Sequence, residues 1–262
     1  MKNNSKFKIV ILAALMAVGS VFFVTSCGND DDDQPTPDPV PDNENVDISI
    51  NFMPKINGQE LSFDKRFDHK SNEQIEIATM MFFVSDVYAM KASGDKELIC
   101  EIELIDFDPN TNTYNVSANG QIPPGDYTGI ELGSGVKESL NNTDPSEFDL
   151  DHPLNTTTGM YWTWATNYIF HKFEGRVFST QPDTLTSWFF HTGLDELYRE
   201  KITIDRDFTV SGDAVEVGVI FNIDKVLDSD YQLDLWSRGQ SHTTDEKEIA
   251  VEVVDNTVNA FE

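Results

Sequence analysis

The chain has 262 residues, of which 46 are acidic and 18 are basic, so its formal net charge at pH 7 is −28. A chain this acidic is repelled by nucleic acids and by anionic membrane surfaces, which excludes both as electrostatic partners. Its two cysteines, Cys27 and Cys100, lie far apart in the sequence, so a zinc site built from closely paired cysteines is not expected.

The first 26 residues have the pattern of a lipoprotein signal peptide. Three lysines precede the apolar run Ile9–Val24, and the sequence Val24-Thr25-Ser26-Cys27 then has the form of a lipoprotein cleavage box. The apolar run is short for a membrane span and lies at the extreme N-terminus, so we predict that residues 1–26 are removed and that Cys27 becomes the lipidated first residue. The mature chain then has 15 basic and 46 acidic residues, and its only remaining thiol is that of Cys100.

Residues 27–45 are predicted to form an extended tether. Four consecutive aspartates are followed by prolines at positions 35, 37, 39 and 41, and acidic repulsion together with proline stiffness opposes the formation of a core. An acidic run after a lipidated cysteine also resembles the surface-export signal of Bacteroidetes lipoproteins. We therefore expect an outer-membrane lipoprotein displayed on the cell surface. A periplasm-facing anchor and a plain spacer are the alternatives.

Residues 46–262 are predicted to form one all-β, β-sandwich-like domain, because strand-like runs are frequent and turn residues separate several of them. One long irregular insertion, Val136–Thr158, interrupts the pattern. The C-terminal segment Glu246–Phe261 has apolar residues at helical spacing and is predicted to be a short helix, although its valines would suit a strand equally well. The strand-like runs are Val46–Phe52, Glu76–Met90, Glu97–Phe107, Thr113–Ser117, Tyr127–Leu132, Met160–Phe173, Thr186–His191, Lys201–Val210 and Val215–Ile223.

The segment Gly159–Gly175 is unusually aromatic, with two of the four tryptophans of the chain. If it forms one strand, alternation places Trp162, Trp164, Tyr168 and Phe170 on the same face. Two tryptophans on one face are costly to expose to water, so this face is expected to pack into the core or to line a binding site.

Of the five histidines, His191 is the best candidate for a metal ligand. It ends an apolar strand and places an imidazole at its rim, just before Thr192-Gly193. His152 lies in the insertion and His242 in a polar loop, and loops carried on a rigid sandwich often hold ligands. None of the five histidines has the spacing of a zincin helix or a zinc finger. A single histidine is more commonly an ordinary polar residue.

Signatures of other chemistry are missing from the sequence. The segment Asp106–Asn112 alternates oxygen-bearing residues as a calcium loop does. It has Thr111 in place of the turn glycine and Ser117 in place of the closing glutamate, so a turn between strands is predicted instead. There is no nucleophile elbow, phosphate-binding loop or dinucleotide fingerprint. We therefore expect that the chain is not an enzyme.

The order of several segments from Val46 onward resembles the MbnP-like family of copper-binding proteins. The similarity extends over nearly the whole domain, and its most specific elements are a Trp-x-Trp block, a following Glu-Gly and a later His-x-Gly. The similar segments are Met81–Val87, Leu104–Phe107, Pro123–Tyr127, Leu132–Val136, Leu140–Pro145, Pro153–Asn155, Gly159–Trp164, Phe173–Gly175, Phe190–Gly193 and Asn256–Phe261.

The resemblance implies a β-rich protein that binds one copper ion, as Cu(I) or Cu(II), through histidine imidazoles. In some members a tryptophan is oxidised to kynurenine, which is attributed to a di-haem peroxidase-like partner. Carried over by position, His191 is the first candidate ligand, and His152 and His242 follow. Trp162 or Trp164 would be the modified residue or the wall of the copper site.

The chain departs from the family at one position that bears on the site. Many relatives have a histidine where this sequence has Asn142, so that His152 would have to substitute or the site would be weakened. An alternative function of a different class is a surface lipoprotein that binds glycans or peptides with the Trp162 and Trp164 face as a stacking platform. Aromatic rings in the open would favour that alternative, and rings buried beside imidazoles would favour copper.

Overall fold

Alternating apolar and polar residues form strands along most of the chain, and the strands assemble into two large sheets. The computed structural model describes residues 44–107, 115–163 and 165–262. The predicted signal peptide, Cys27 and most of the tether lie outside these ranges. The same is true of Trp164 and most of the calcium-like loop.

The described strands and helices are as follows. The strands are β1 (Val46–Ile56), β2 (Gln59–Glu60), β3 (Phe67–Asp68), β4 (Glu73–Met90), β5 (Lys96–Asp106), β6 (Ser117–Ile122), β7 (Gly125–Ser134), β8 (Tyr161–Trp162), β9 (Asn167–Tyr168), β10 (His171–Thr180), β11 (Asp183–Thr192), β12 (Arg199–Val210), β13 (Ala214–Asn222) and β14 (Gln240–Ser241). The α-helices are α1 (Glu138–Asn141), α2 (Ile223–Leu227) and α3 (Lys247–Val258).

The smaller of the two sheets is built around β1, which pairs in parallel with β13 and in antiparallel fashion with β6 and β2. The larger sheet has the strand order β12-β7-β4-β10-β11-β14, with β3 and β5 also paired to β4. A two-stranded ribbon, β8-β9, lies apart from both sheets. The prediction of an all-β, sandwich-like domain is confirmed.

The core lies between the two sheets and is centred on Phe82 of β4. This ring stacks on Phe221 of β13 at a centroid distance of 4.4 Å and meets Phe52 of β1 edge-on at 6.2 Å. These contacts join residues of opposite sheets, and the inward positions of both sheets belong to one apolar cluster. Burial of such aromatic side chains is the main term that holds the sheets together.

The insertion covers the outer face of the larger sheet. A second apolar cluster joins Met81 and Phe83 of β4 to Val136, Leu154 and other apolar side chains of the segment 136–170. Both faces of β4 are therefore buried, which explains why Met80–Val84 is continuously apolar instead of alternating. Within Val136–Thr158 the only regular elements are α1 and two short 3-10 turns, Pro145–Glu147 and Thr156–Thr158, as expected for an irregular insertion.

The predicted strand Met160–Phe173 is wrong. Tyr161-Trp162 pairs with Asn167-Tyr168 as a short hairpin, and β10 begins only at His171. Asn167, the first residue of β9, has a left-handed backbone, with φ of 64°, which is uncommon for a residue other than glycine. Trp162 and Tyr168, which were expected on one strand face with Phe170, therefore lie in the hairpin, and Phe170 lies in the link that follows it.

The C-terminal segment is helical, not extended. In α3 the residues Ala250, Val253 and Val254 are buried, so the apolar spacing of a helix decided the conformation in spite of the β-branched side chains. Beyond the helix, Phe261 returns to the core and forms an isolated bridge with Phe221. No helix in the described ranges is both long and apolar enough to cross a membrane.

Candidate metal centre

His191 is positioned by the alternation of β11. Trp188 and Phe190 of this strand face the core, so Phe189 and His191 lie on the opposite face of the sheet. The side chain of His191 is 12% exposed, and its Nε2 lies 2.7 Å from Oε1 of Glu174. Glu174 belongs to the neighbouring strand β10, where it is paired with Phe189. It is therefore a diagonal cross-strand neighbour of His191.

Glu174 is a site residue that the sequence did not reveal. Its second carboxylate oxygen accepts a hydrogen bond from Oγ1 of Thr79 at 3.2 Å. The pKa of Glu174 lies below its usual range, mainly because its carboxylate accepts the hydrogen bond from His191. The carboxylate is therefore charged at neutral pH. The register between β10 and β11 brings this carboxylate next to the imidazole. The two residues are 17 positions apart in the sequence, and this spacing does not by itself predict their contact.

His242 lies against His191. The two ring centroids are 5.2 Å apart, and Phe189 packs on His242 at 4.6 Å. The loop that carries His242 is fixed by Thr243, which has a left-handed backbone and whose hydroxyl donates to the carbonyl oxygen of His191 at 2.8 Å. The loop is thus bonded directly to the end of β11.

Trp162 of the β8-β9 hairpin lies next to both His191 and His242. Its ring lies 5.5 Å from that of His191 and 5.6 Å from that of His242, at interplanar angles near 60° in both cases. Trp162 is partly buried and packs against the second apolar cluster. The structure therefore brings together His191, His242 and Trp162, three of the residues that the family resemblance assigns to a copper site.

One polar atom in this group has no partner. Nδ1 of His191 is buried and makes no hydrogen bond, which is unusual because buried polar atoms are nearly always paired. His191 also lines a cavity of about 320 Å³, together with Glu174, Phe189 and His242. A ligand that accepts the lone pair of Nδ1 would remove this unsatisfied group.

The two imidazoles fit a shared metal ion by distance. At a nitrogen–metal distance of about 2 Å, two rings on one ion have centroids no more than about 6 Å apart, and His191 and His242 meet this limit. Among the described residues, no group of three or more histidine, cysteine, aspartate or glutamate side chains is arranged to hold a metal ion. The candidate centre is thus a pair of histidines with Glu174 behind one of them.

His152 lies in a different part of the structure. Its ring stacks on Phe148 at 4.4 Å, and its Nδ1 accepts a hydrogen bond from the backbone of Leu154 at 3.1 Å. It lines a separate cavity of about 430 Å³ beside Glu103, whose pKa is raised by burial to about 7. The described contacts therefore give no support to His152 as a third ligand.

Asn142, which stands where many relatives have a histidine, also lies outside the histidine pair. Its amide nitrogen donates to the carboxylate of Asp195 at 3.1 Å, and its amide oxygen accepts from Asn167 at 3.4 Å. Asn142 is thus part of a polar cluster beside the β8-β9 hairpin.

His171 is the most buried histidine of the described chain, and both of its ring nitrogens have partners. Nε2 lies 2.8 Å from Oγ of Ser134, and Nδ1 lies 2.6 Å from Oγ1 of Thr192. Burial lowers its pKa to about 3. It is a neutral residue that links β7, β10 and β11 and has no nitrogen left for a metal.

The fold and this group of residues define a β-sandwich protein with a histidine-pair candidate metal centre walled by a tryptophan. The chain belongs to the MbnP family, whose model matches residues 45–246. The resemblance inferred from the sequence is thereby confirmed.

A solved structure with a similar fold is MbnP from Methylosinus trichosporium. The TM-score is 0.50 at 16% sequence identity, and the similarity covers 76% of this chain and 83% of that chain. At this identity the likeness shows the fold alone. A search of curated proteins found no significant match.

Proposed function

We propose that the chain is a copper-binding protein that holds the ion between His191 and His242, beside Trp162. The observation that carries this proposal is the convergence of the two imidazoles and the tryptophan ring within 5.2–5.6 Å of one another. Three segments far apart in the sequence supply them. Membership of the MbnP family supports copper as the ion.

The chemistry of the site suits copper. Imidazole is a good ligand for copper in either oxidation state. The rings of Trp162 and Phe189 form an apolar shell, which limits access of water and favours the singly charged Cu(I) over Cu(II). A tryptophan face close to the ion adds a cation–π attraction. The proposal treats copper as cargo and assigns no catalytic reaction to the chain.

The alternative, binding of glycans or peptides on an open aromatic platform, has less support. A stacking platform must present its ring face to solvent, whereas Trp162 is only partly exposed and its ring lies against two imidazoles. The arrangement is the one expected for a metal-site wall.

We further propose that the mature chain begins at a lipidated Cys27 and is held at the outer membrane, on the cell surface or facing the periplasm. The acidic tether would then separate the β-domain from the bilayer. Oxidation of Trp162 or Trp164 to kynurenine by a di-haem peroxidase-like partner belongs to the same proposal. The mass of tryptic peptides from the native protein tests for it.

The copper proposal is tested by replacing one ligand. His191→Ala should lower the affinity for copper at least tenfold, which corresponds to about 1.4 kcal/mol, because it removes one of only two imidazoles. The measurement is a competition titration with a chromophoric chelator under reducing, anaerobic conditions, with zinc titrated in parallel. His152→Ala is the matched control, since His152 is another partly buried imidazole but lines a different cavity; its affinity should equal that of the wild type. Equal affinities for His191→Ala and the wild type would remove His191 from the site.

Copper binding should also weaken as the pH is lowered. Metal binding requires a neutral imidazole, and protons compete with the metal for the ring nitrogens. The same titration repeated between mildly acidic and neutral pH should show a steady loss of affinity on the acidic side. A constant affinity over this range would argue against imidazole ligation.

A further inference from the structure

We infer that Glu174 is a positioning residue that fixes the tautomer of His191, so that the metal binds through Nδ1 and not through Nε2. This inference rests on the proposed copper binding and adds the identity of the ligating nitrogen. It is carried by the hydrogen bonds on the two sides of a single imidazole ring.

The hydrogen bond to Glu174 decides which nitrogen of the His191 ring carries the proton. A neutral imidazole carries one N–H, and a charged carboxylate can only accept a hydrogen bond. Nε2 of His191 lies 2.7 Å from Oε1 of Glu174, so Nε2 must be the protonated nitrogen. Nδ1 then has a free lone pair, which is the form that binds a metal.

Nδ1, the other ring nitrogen of His191, is buried and has no hydrogen-bond partner. His171, on the adjacent strand, provides the contrast, because both of its nitrogens lie within 2.8 Å of hydroxyl groups. His191 is therefore satisfied on one side only, and the unsatisfied side is a buried lone pair.

The carboxylate of Glu174 is held by hydrogen bonds at both of its oxygens. Oε2 accepts a hydrogen bond from Oγ1 of Thr79, so the carboxylate is held from β4 as well as from β11. A carboxylate that accepts from the far nitrogen of a metal-binding histidine fixes the ring orientation and raises the basicity of the ligating nitrogen. Both effects strengthen metal binding although Glu174 does not touch the ion.

The experiment uses the full-length chain labelled with ¹⁵N at histidine, and His191→Gln assigns the signals of His191. In the metal-free protein, long-range proton–nitrogen correlation spectra should show His191 with the proton on Nε2. Addition of Cu(I), which is diamagnetic, under anaerobic conditions should shift the Nδ1 resonance strongly and leave the N–H on Nε2.

Variants of Glu174 test its role. Glu174→Ala should produce a mixture of the two His191 tautomers and lower the Cu(I) affinity by about 10- to 100-fold. Glu174→Gln keeps an acceptor oxygen and should retain more affinity than Glu174→Ala. The matched control is Glu76→Ala, which removes an equally strand-borne carboxylate that pairs with Arg176 instead of a histidine. Its affinity and the His191 signals should match those of the wild type.

Three results would overturn the inference while leaving copper binding intact: a metal-free His191 protonated on Nδ1, a Cu(I)-induced shift of Nε2, or equal Cu(I) affinities of the Glu174→Ala and Glu76→Ala chains. A wild-type chain that binds no copper would overturn the proposed function and this inference together. The two failures are therefore distinguishable.

Discussion

Replacement of Phe82 by alanine should lower the free energy of unfolding by about 3–5 kcal/mol. Phe82 is fully buried, and its ring contacts five other phenylalanine rings, including those of Phe52 and Phe221 in the smaller sheet and Phe173 in the larger sheet. Truncation removes the transfer free energy of the ring and leaves a cavity at the junction of the sheets. The surrounding strands are hydrogen-bonded on both sides and relax little, so the cavity should persist. Urea denaturation followed by tryptophan fluorescence measures the effect.

The control for Phe82→Ala is Leu185→Ala. Leu185 lies on β11 but is 58% exposed, so its loss should change the free energy of unfolding by less than about 0.5 kcal/mol. A change below about 1 kcal/mol for Phe82→Ala would mean that the two sheets do not share the core described above.

Acid should destabilise the fold through His171. The pKa of His171 is about 3 in the folded chain, whereas an ordinary histidine has a pKa of 6.5. Between these two pH values the unfolded chain therefore binds more protons than the folded chain. Stability therefore rises with pH across the interval and is lost as the pH falls from about 6.5 towards 3. At about 1.36 kcal/mol per pH unit the full loss over this interval is roughly 5 kcal/mol. His69, whose pKa is lowered to about 4 mainly by burial, acts in the same direction.

Urea denaturation at pH 7 and at pH 4.5 measures this dependence. His171→Gln cannot take up the proton but can still bond to Ser134 and Thr192, so its stability should fall less between the two pH values than that of the wild type. His152→Gln, which changes a histidine outside this network, should keep the wild-type dependence. If His171→Gln and the wild type lose equal stability in acid, His171 is not the responsible group.

Local sequence patterns predicted seven long strands to within a few residues of their observed ends, namely β1, β4, β5, β7, β11, β12 and β13, but the run Thr113–Ser117 overlaps β6 only at Ser117. They succeeded where one face of a strand is buried, as in β1 and β13, because alternation then reports burial directly. They failed at Met160–Phe173, where side-chain alternation is compatible with a strand. There Trp162 pairs with a left-handed Asn167, so that the stretch forms a hairpin. Hairpins this short are decided by turn conformation, which composition alone does not define.

The position of the candidate centre could be predicted only in part. His191 was identifiable because a strand end beside a glycine presents its side chain at a rim. His242 was one of several loop histidines, and nothing local distinguished it from His152. The loop that carries His242 contacts the end of β11, through the hydrogen bond from Thr243 to the carbonyl oxygen of His191. This contact distinguishes His242 from His152. Sequence analysis therefore grouped three histidines of which the structure joins two.

The sequence by itself determined the fold class, the family and the residue types available for metal binding, because these depend on periodicity, segment order and composition along the chain. Only the tertiary structure decided that Glu174 lies behind His191, that His242 faces the same ring and that Trp162 closes the group. The physical reason is that these contacts depend on the register between strands and on the path of the loops. They join residues that are up to 80 positions apart in the sequence. No local pattern specifies such contacts.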